Sequence, residues 1–94
     1  SRVHMNQEQA AAILGQKMRE TVLNQLESGD PAIVTATYTR LQSEGVADDE
    51  AIRMMAQCMM LITLDIMQGE AEWDLDRYTE MLEALPDEQV IYEL

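Results

Sequence analysis

Residues 52–67, with the sequence IRMMAQCMMLITLDIM, decide the fold of this chain of 94 residues. Apolar residues recur in this stretch at intervals of three and four: Ile52, Met55, Met59, Ile62 and Ile66. That spacing places them on one face of an α-helix. In the last fourteen positions only Gln57, Thr63 and Asp65 are strongly polar. Because a helix that is apolar on nearly every side must be buried on most of them, we expect it to be the centre of the fold.

A first helix is predicted over about residues 7–28. Asn6 and Gln9 have the spacing of a capping box, in which each side chain bonds the other residue's backbone N–H. Gly29 follows the last apolar position and favours the left-handed conformation that ends helices. The segment therefore carries both a start signal and a stop signal.

A second helix is predicted to begin at Asp30 and Pro31. An aspartate is a good N-cap acceptor, and proline at the first helical position loses no hydrogen bond. Gly45 is predicted to end this helix. The acidic residues 48–50 are then expected to cap the central helix. Their negative charges are also expected to stabilise it by interacting with the positive end of its dipole.

A fourth helix and a C-terminal segment follow the central helix. Asp74 is a suitable N-cap, and Trp73 and Tyr78 bracket it at the spacing of a hydrophobic staple. Pro86 is expected to end the fourth helix. Residues 87–94 are compatible with a short extra helix or with a strand-like tail.

These signals predict an all-α fold: a compact bundle of four main helices, with a central Met-rich third helix and a short C-terminal tail or extra helix. Residues 5–94 are expected to form a single helical domain, because the chain is too short for two. Residues 1–4 (Ser-Arg-Val-His) precede Met5 and are interpreted as a remnant of an expression vector. Without His4 the chain contains no histidine.

The charge balance excludes several classes of function. The chain has 18 acidic residues against 6 basic ones, and Lys17 is its only lysine. Nucleic-acid binding needs clustered Lys and Arg, and anionic membrane surfaces repel such a chain. No apolar run approaches the roughly 20 residues of a membrane span, and Cys58 is the only cysteine. We therefore expect a cytoplasmic protein that binds neither nucleic acid nor membranes.

Four short motifs give the chain a resemblance to a known family. They are Asn-Gln-Leu at 24–26, Gly-Asp-Pro at 29–31, Arg-Leu at 40–41 and Glu-Ala-Ile at 50–52. Over about residues 15–60 the sequence resembles a small uncharacterised family of bacterial all-helical domains. The resemblance implies a helical bacterial protein. That family places histidines on its first and third helices, whereas residues 16–18 and 53–55 contain none here, so no chemistry of those histidines carries over.

Most catalytic and cofactor sites are excluded by the residue types that are missing. Without a native histidine there is no Ser-His-Asp triad, Cys-His pair or histidine zinc site, and one cysteine cannot hold a Cys₄ metal centre. The glycine-rich phosphate-binding loops are absent as well. We therefore expect no cofactor, and Cys58 is predicted to fill the core.

The acidic C-terminal third is the remaining candidate site. From Asp65 onwards ten carboxylates stand against Arg77 alone. The twelve residues from Asp65 do not fit a calcium loop, because oxygen ligands are missing at its third and fifth positions. Three readings stay open: a looser divalent-metal site, a solvated acidic surface, and a docking face for a basic partner. The candidate docking face comprises Glu72, Asp74, Asp76, Glu80 and Glu83.

The apolar surface of the third helix predicts a homodimer. Methionines fill ordinary cores and also form adaptable binding grooves, and five of the eight lie in the third helix. Three short neighbours leave part of such a helix uncovered, and a second copy would cover it. The residues expected at this contact are Met54, Met60, Leu61, Trp73 and Tyr92.

Taken together, these features favour a protein that acts by binding another protein, as an adaptor or a regulatory subunit. The main alternative is an inhibitor, an immunity-type protein or a DNA mimic that presents its acidic C-terminal face. An enzyme is a more remote alternative. It would depend on carboxylates alone, such as Asp65 with Glu70 or Glu72 beside a pocket.

Overall fold

The computed structural model describes residues 6–94, and the proposed vector remnant at residues 1–4 lies outside this range. Within this range five helices follow one another: α1 (Gln7–Ser28), α2 (Ala32–Ser43), α3 (Asp48–Met67), α4 (Leu75–Ala84) and α5 (Glu88–Ile91). Residues 6–94 contain no β-strand. The predicted all-α bundle of four main helices is confirmed, and the C-terminal segment forms a short extra helix rather than a strand-like tail.

The ends of α1 are formed as the sequence predicts. The Asn6 side chain accepts a hydrogen bond from the Gln9 backbone N–H at 2.8 Å, and the Gln9 side chain accepts from the Asn6 N–H at 3.0 Å. At the other end Gly29 has a φ of 74° and donates its N–H to the Gln25 carbonyl at 2.9 Å. Backbone groups at both ends therefore have partners without any tertiary contact.

The starts of α2 and α3 differ from the prediction. Pro31 has an extended backbone (φ −75°, ψ 149°), so helical dihedrals begin at Ala32 and Asp30 lies too early to be the cap. Similarly, the N-cap of α3 is Ala47, and Asp48 is the first helical residue. Neither helix has a side-chain cap. The three carboxylates in the first turn of α3 still stabilise that helix, because they interact favourably with the positive end of its dipole.

The start of α4 has the predicted cap and staple. The Asp74 carboxylate accepts from the backbone N–H groups of Asp76 and Arg77 at 3.0 and 3.3 Å. The ring of Trp73 packs on that of Tyr78, with centroids 5.5 Å apart. The staple therefore fixes the direction in which the chain enters α4.

The core is built around α3, which packs against α1, α2 and α4. Its buried residues are Ala51, Ile52, Met54, Met55, Cys58, Met59 and Ile62. The other helices contribute apolar side chains to the same cluster, among them Val22, Val34, Tyr78 and Leu82. Thr37 of α2 is also buried, which the spacing of apolar residues does not predict. The predicted central role of α3 is confirmed.

The last turn of α3 is not covered. Ile66 continues the spacing of the core face, yet 37% of it is exposed, and Met67 is 69% exposed. No residue of α3 after Ile62 is buried. The periodicity therefore identifies the buried face, but neighbouring helices cover that face only as far as Ile62.

Arg40 of α2 joins the C-terminal end of α4. Its guanidinium donates to the carbonyls of Leu82 and Leu85 at 3.1 and 2.9 Å, and it also pairs with Glu44. The last carbonyls of a helix lack partners within the helix, and α4 has no basic residue in its own last turn. Arg40 supplies from a neighbouring helix the charge that the end of α4 lacks.

Replacing Arg40 should therefore destabilise the fold. We expect Arg40→Met to lower the free energy of unfolding by about 1–3 kcal/mol, since charge-assisted bonds to part-buried carbonyls are lost. Urea unfolding followed by circular dichroism measures this. The matched control is Arg19→Met, which removes a 3.4 Å pair with the exposed Asp49 and should cost about 0.5 kcal/mol or less. Equal losses for both variants would contradict the role given to Arg40.

Candidate functional site

Exposed apolar side chains are concentrated where α3 ends and α4 begins. Within residues 64–75 five large apolar residues are at least a third exposed: Leu64, Ile66, Met67, Trp73 and Leu75. We call these five residues the α3–α4 surface. They include the last turn of α3, the residue before the cap of α4 and the first residue of α4. The three residues on α3 are exposed because the cover of that helix stops at Ile62 while its apolar pattern continues.

Carboxylates lie in the same segment as this apolar surface. Glu70, Glu72, Asp74 and Asp76 are all exposed, and in the part of the chain that the structure describes none of them forms an ion pair. Arg77, the only basic residue after Asp65 in the sequence, is already engaged. Its guanidinium pairs with Asp65 at 2.7 Å and donates to the Leu94 carbonyl at 3.1 Å. The charge around the α3–α4 surface is therefore negative.

The predicted acidic docking face is exposed throughout. Glu72 and Asp74 belong to the loop before α4, where Asp74 also serves as the N-cap. Asp76, Glu80 and Glu83 follow at intervals of four and three, which places them on one side of α4. Binding of a partner to this face stays a prediction.

The five residues expected at a dimer contact differ in their exposure and in their partners within the chain. Met54 is only 9% exposed and belongs to the chain's own core, so it adds almost nothing to a contact. Met60 and Leu61 are half-buried. Trp73 packs on Tyr78, whereas the Tyr92 hydroxyl accepts a hydrogen bond from Gln57 of α3 at 2.8 Å. The homodimer itself stays a prediction.

A groove of about 260 Å³ lies between α1 and α3. It is lined by Gly15, Gln16, Met18, Arg19, Arg53, Ala56, Gln57 and Met60. The groove is open because Gly15 and Ala56 carry little or no side chain. A Cβ at Gly15 would meet nothing nearer than the Met60 methyl at 4.0 Å. The sequence reasoning did not find this groove, since it depends on how two helices lie against each other.

The two arginines at the groove are held by carboxylates. Arg53 donates to Glu88 of α5 at 2.8 and 3.1 Å, and it also bonds Glu50. These bonds raise the pKa of the Arg53 guanidinium, with Glu88 the larger cause. Arg19 pairs with Asp49. No carboxylate lines the groove itself, so it lacks the acid and base groups that carboxylate chemistry would need.

The carboxylates named for a possible enzyme do not line the groove between α1 and α3. Asp65 is paired with Arg77, and Glu70 and Glu72 are exposed in the loop before α4. Over residues 6–94 no group of three or more His, Cys, Asp or Glu side chains is placed to hold a metal ion. The predictions that the protein is not an enzyme and uses no metal are not tested by these placements.

The chain matches no protein-family model, no curated protein and no solved structure. The resemblance to a family of bacterial helical domains therefore stays an expectation. Of the helices in the described region, none is both long enough and apolar enough to cross a membrane.

Cys58 lies at the centre of the core and is fully buried. Burial, with a smaller contribution from the charge of Glu88, raises the pKa of its thiol from 9.0 to about 12. A rise of this size lowers the thiolate fraction at neutral pH by about a thousandfold. Its position agrees with the predicted core-filling role.

We expect Cys58 to be unreactive in the native protein at pH 8, because only the thiolate attacks disulfide reagents. Adding an aromatic disulfide reagent and following absorbance should show no reaction over minutes, and one equivalent of thiol after unfolding in urea. Complete reaction without denaturant, at the unfolded rate, would show that the core around α3 is open.

Proposed function

We propose that this protein is a non-catalytic adaptor or regulatory subunit, which holds a protein partner through the α3–α4 surface. The observation that carries the proposal is the set of apolar side chains left uncovered beside carboxylates that form no ion pair within residues 6–94. Exposed apolar residues that are grouped rather than scattered are typical of interaction sites. A partner would provide the cover that the chain does not provide for itself.

Trp73 is suited to be the anchor of such a contact. Half of its side chain is exposed, while its ring rests on the buried Tyr78. Tryptophan is enriched among the residues that dominate binding energy. Because the packing on Tyr78 already restricts the ring, less side-chain entropy is lost on binding. Met67 nearby adds a flexible apolar side chain that adapts to the shape of a partner.

The proposal predicts that Trp73 is needed for binding and that the other exposed aromatic residue is not. Tagged protein returned to its own cells should recover a partner in stoichiometric amount. We expect Trp73→Ala to reduce the amount of partner recovered by about tenfold or more, as for a central anchor residue. The matched control is Tyr92→Ala, also at an exposed ring, which should retain it.

Melting curves must show that both variants remain folded. Retention of the partner by Trp73→Ala, or loss only with Tyr92→Ala, would reject the α3–α4 surface as the site. Absence of any stoichiometric partner under native conditions would reject the adaptor proposal.

The alternative of an inhibitor or DNA mimic is favoured by one feature, the carboxylates on one side of α4. Asp76, Glu80 and Glu83 are exposed, and no ion pair within residues 6–94 involves them. Such a row could face a basic active site. This alternative makes a different prediction: Glu80→Gln with Glu83→Gln would abolish binding, and Trp73→Ala would not.

We also propose self-association, now with Met60, Leu61 and Tyr92 as the remaining candidate contact. These residues are half-buried or exposed. Light scattering at micromolar concentration should give a mass near twice the chain mass of 10.7 kDa. A mass of one chain throughout the accessible range would refute the dimer, and Tyr92→Ala should shift a true equilibrium towards the monomer.

A further inference from the structure

We infer that the α3–α4 surface binds a basic–apolar segment of its partner, in which apolar side chains alternate with lysine or arginine. This inference rests on the proposed function and goes further, since it assigns the chemistry of the partner. Three features of the described residues support it: a fixed apolar anchor, unpaired carboxylates beside it, and the engagement of the nearest cation.

The apolar part of the segment would pack on a surface that combines an aromatic ring with exposed aliphatic side chains. Trp73 is held against Tyr78 at a centroid distance of 5.5 Å. Leu64 and Met67 are three residues apart on α3, so they lie on the same side of its last turn. An apolar side chain of the partner would remove part of this exposed area from water, which is the main source of affinity.

The negative charge around these apolar residues favours basic side chains in the rest of the segment. Four of the nine residues at positions 68–76 are exposed carboxylates: Glu70, Glu72, Asp74 and Asp76. The nearest basic side chain, Arg77, is paired with Asp65 at 2.7 Å. A lysine or arginine of the partner would meet carboxylates without displacing an existing ion pair. An acidic segment would meet like charges and would be repelled.

The same charges disfavour a second copy as the occupant. The chain carries a net charge of −12, and a two-fold contact here would place each set of four carboxylates against its equivalent. Like charges that face each other in a contact repel and weaken it. Anionic lipid is excluded by the same repulsion. Of the occupants that could cover the apolar residues, a basic–apolar segment has the complementary charge.

Three synthetic peptides of equal length test this assignment on the intact protein. One alternates leucine with lysine, a second replaces its lysines with glutamate, and a third replaces its leucines with serine. Affinity is measured by fluorescence anisotropy of labelled peptide at low and at high salt. We expect the leucine–lysine peptide to bind at least about tenfold more tightly than either of the others. Its affinity should fall as salt screens the carboxylates.

Two double variants with the same net charge separate local recognition from general attraction to an acidic protein. Glu70→Gln with Glu72→Gln removes charge at the proposed site. Glu8→Gln with Glu27→Gln removes the same charge from α1, where both side chains are also exposed. We expect the first pair of substitutions to reduce the affinity for the leucine–lysine peptide about fivefold or more at low salt. The second pair should change that affinity less than twofold.

Trp73→Ala tests the apolar contribution to binding. It should reduce the affinity for the leucine–lysine peptide about tenfold. Equal affinity for the leucine–lysine and serine–lysine peptides would overturn the inference, since attraction would then be a matter of charge alone. Equal effects of the two double variants would overturn it too, as would tighter binding of the glutamate peptide or no binding of any. If these peptides fail while Trp73 is still required for a cellular partner, the proposed function survives and only the assigned chemistry is wrong.

Discussion

The α3 helix has apolar side chains on nearly every side, and the positions of the other helices follow from the need to cover it. α1, α2 and α4 supply the side chains that enclose Met55, Cys58 and Ile62. α5 is too short to be stable by itself, and it lies where Arg53 and Gln57 of α3 bond Glu88 and Tyr92. Where this cover ends, after Ile62, the same apolar sequence becomes a surface.

The few basic residues connect helices to one another. Within the described chain each of the four arginines bonds a helix other than its own: Arg19 bonds α3, Arg40 bonds α4, Arg53 bonds α5 and Arg77 bonds α3. Lys17, by contrast, pairs only with Glu20 one turn away, and that pair is exposed. Because these arginines are paired with carboxylates, the remaining carboxylates dominate the charge of the described surface. The same few side chains thus support the fold and leave the rest of the surface negative.

Local signals in the sequence predicted local structure well. The capping box at Asn6, the glycine at the end of α1 and the staple around Asp74 need only residues within a few positions of each other. Asp30 and Asp48 were wrong as caps: α2 begins one place later than a cap at Asp30 would allow, because Pro31 is still extended, and α3 begins one place earlier than a cap at Asp48 would allow, because Ala47 is the cap. Contacts that join distant residues could not be predicted. Arg40 and Leu82 are 42 positions apart, and only the packing of α2 on α4 brings them together.

The candidate site could not be predicted for the same reason, because it depends on how the helices pack. Periodicity identified the face of α3 that contains Ile66, but how far that face is buried depends on the lengths of its neighbours. The acidic residues of the following loop are informative here. Glu70, Glu72 and Asp74 contribute no ion pair to the described fold, and they lie beside apolar side chains that would otherwise favour aggregation. In the proposed function, their like charge would oppose contact between copies of the chain at this surface and would attract a partner of opposite charge. The groups that limit unwanted contacts at an exposed apolar surface would then also be the groups that select the partner.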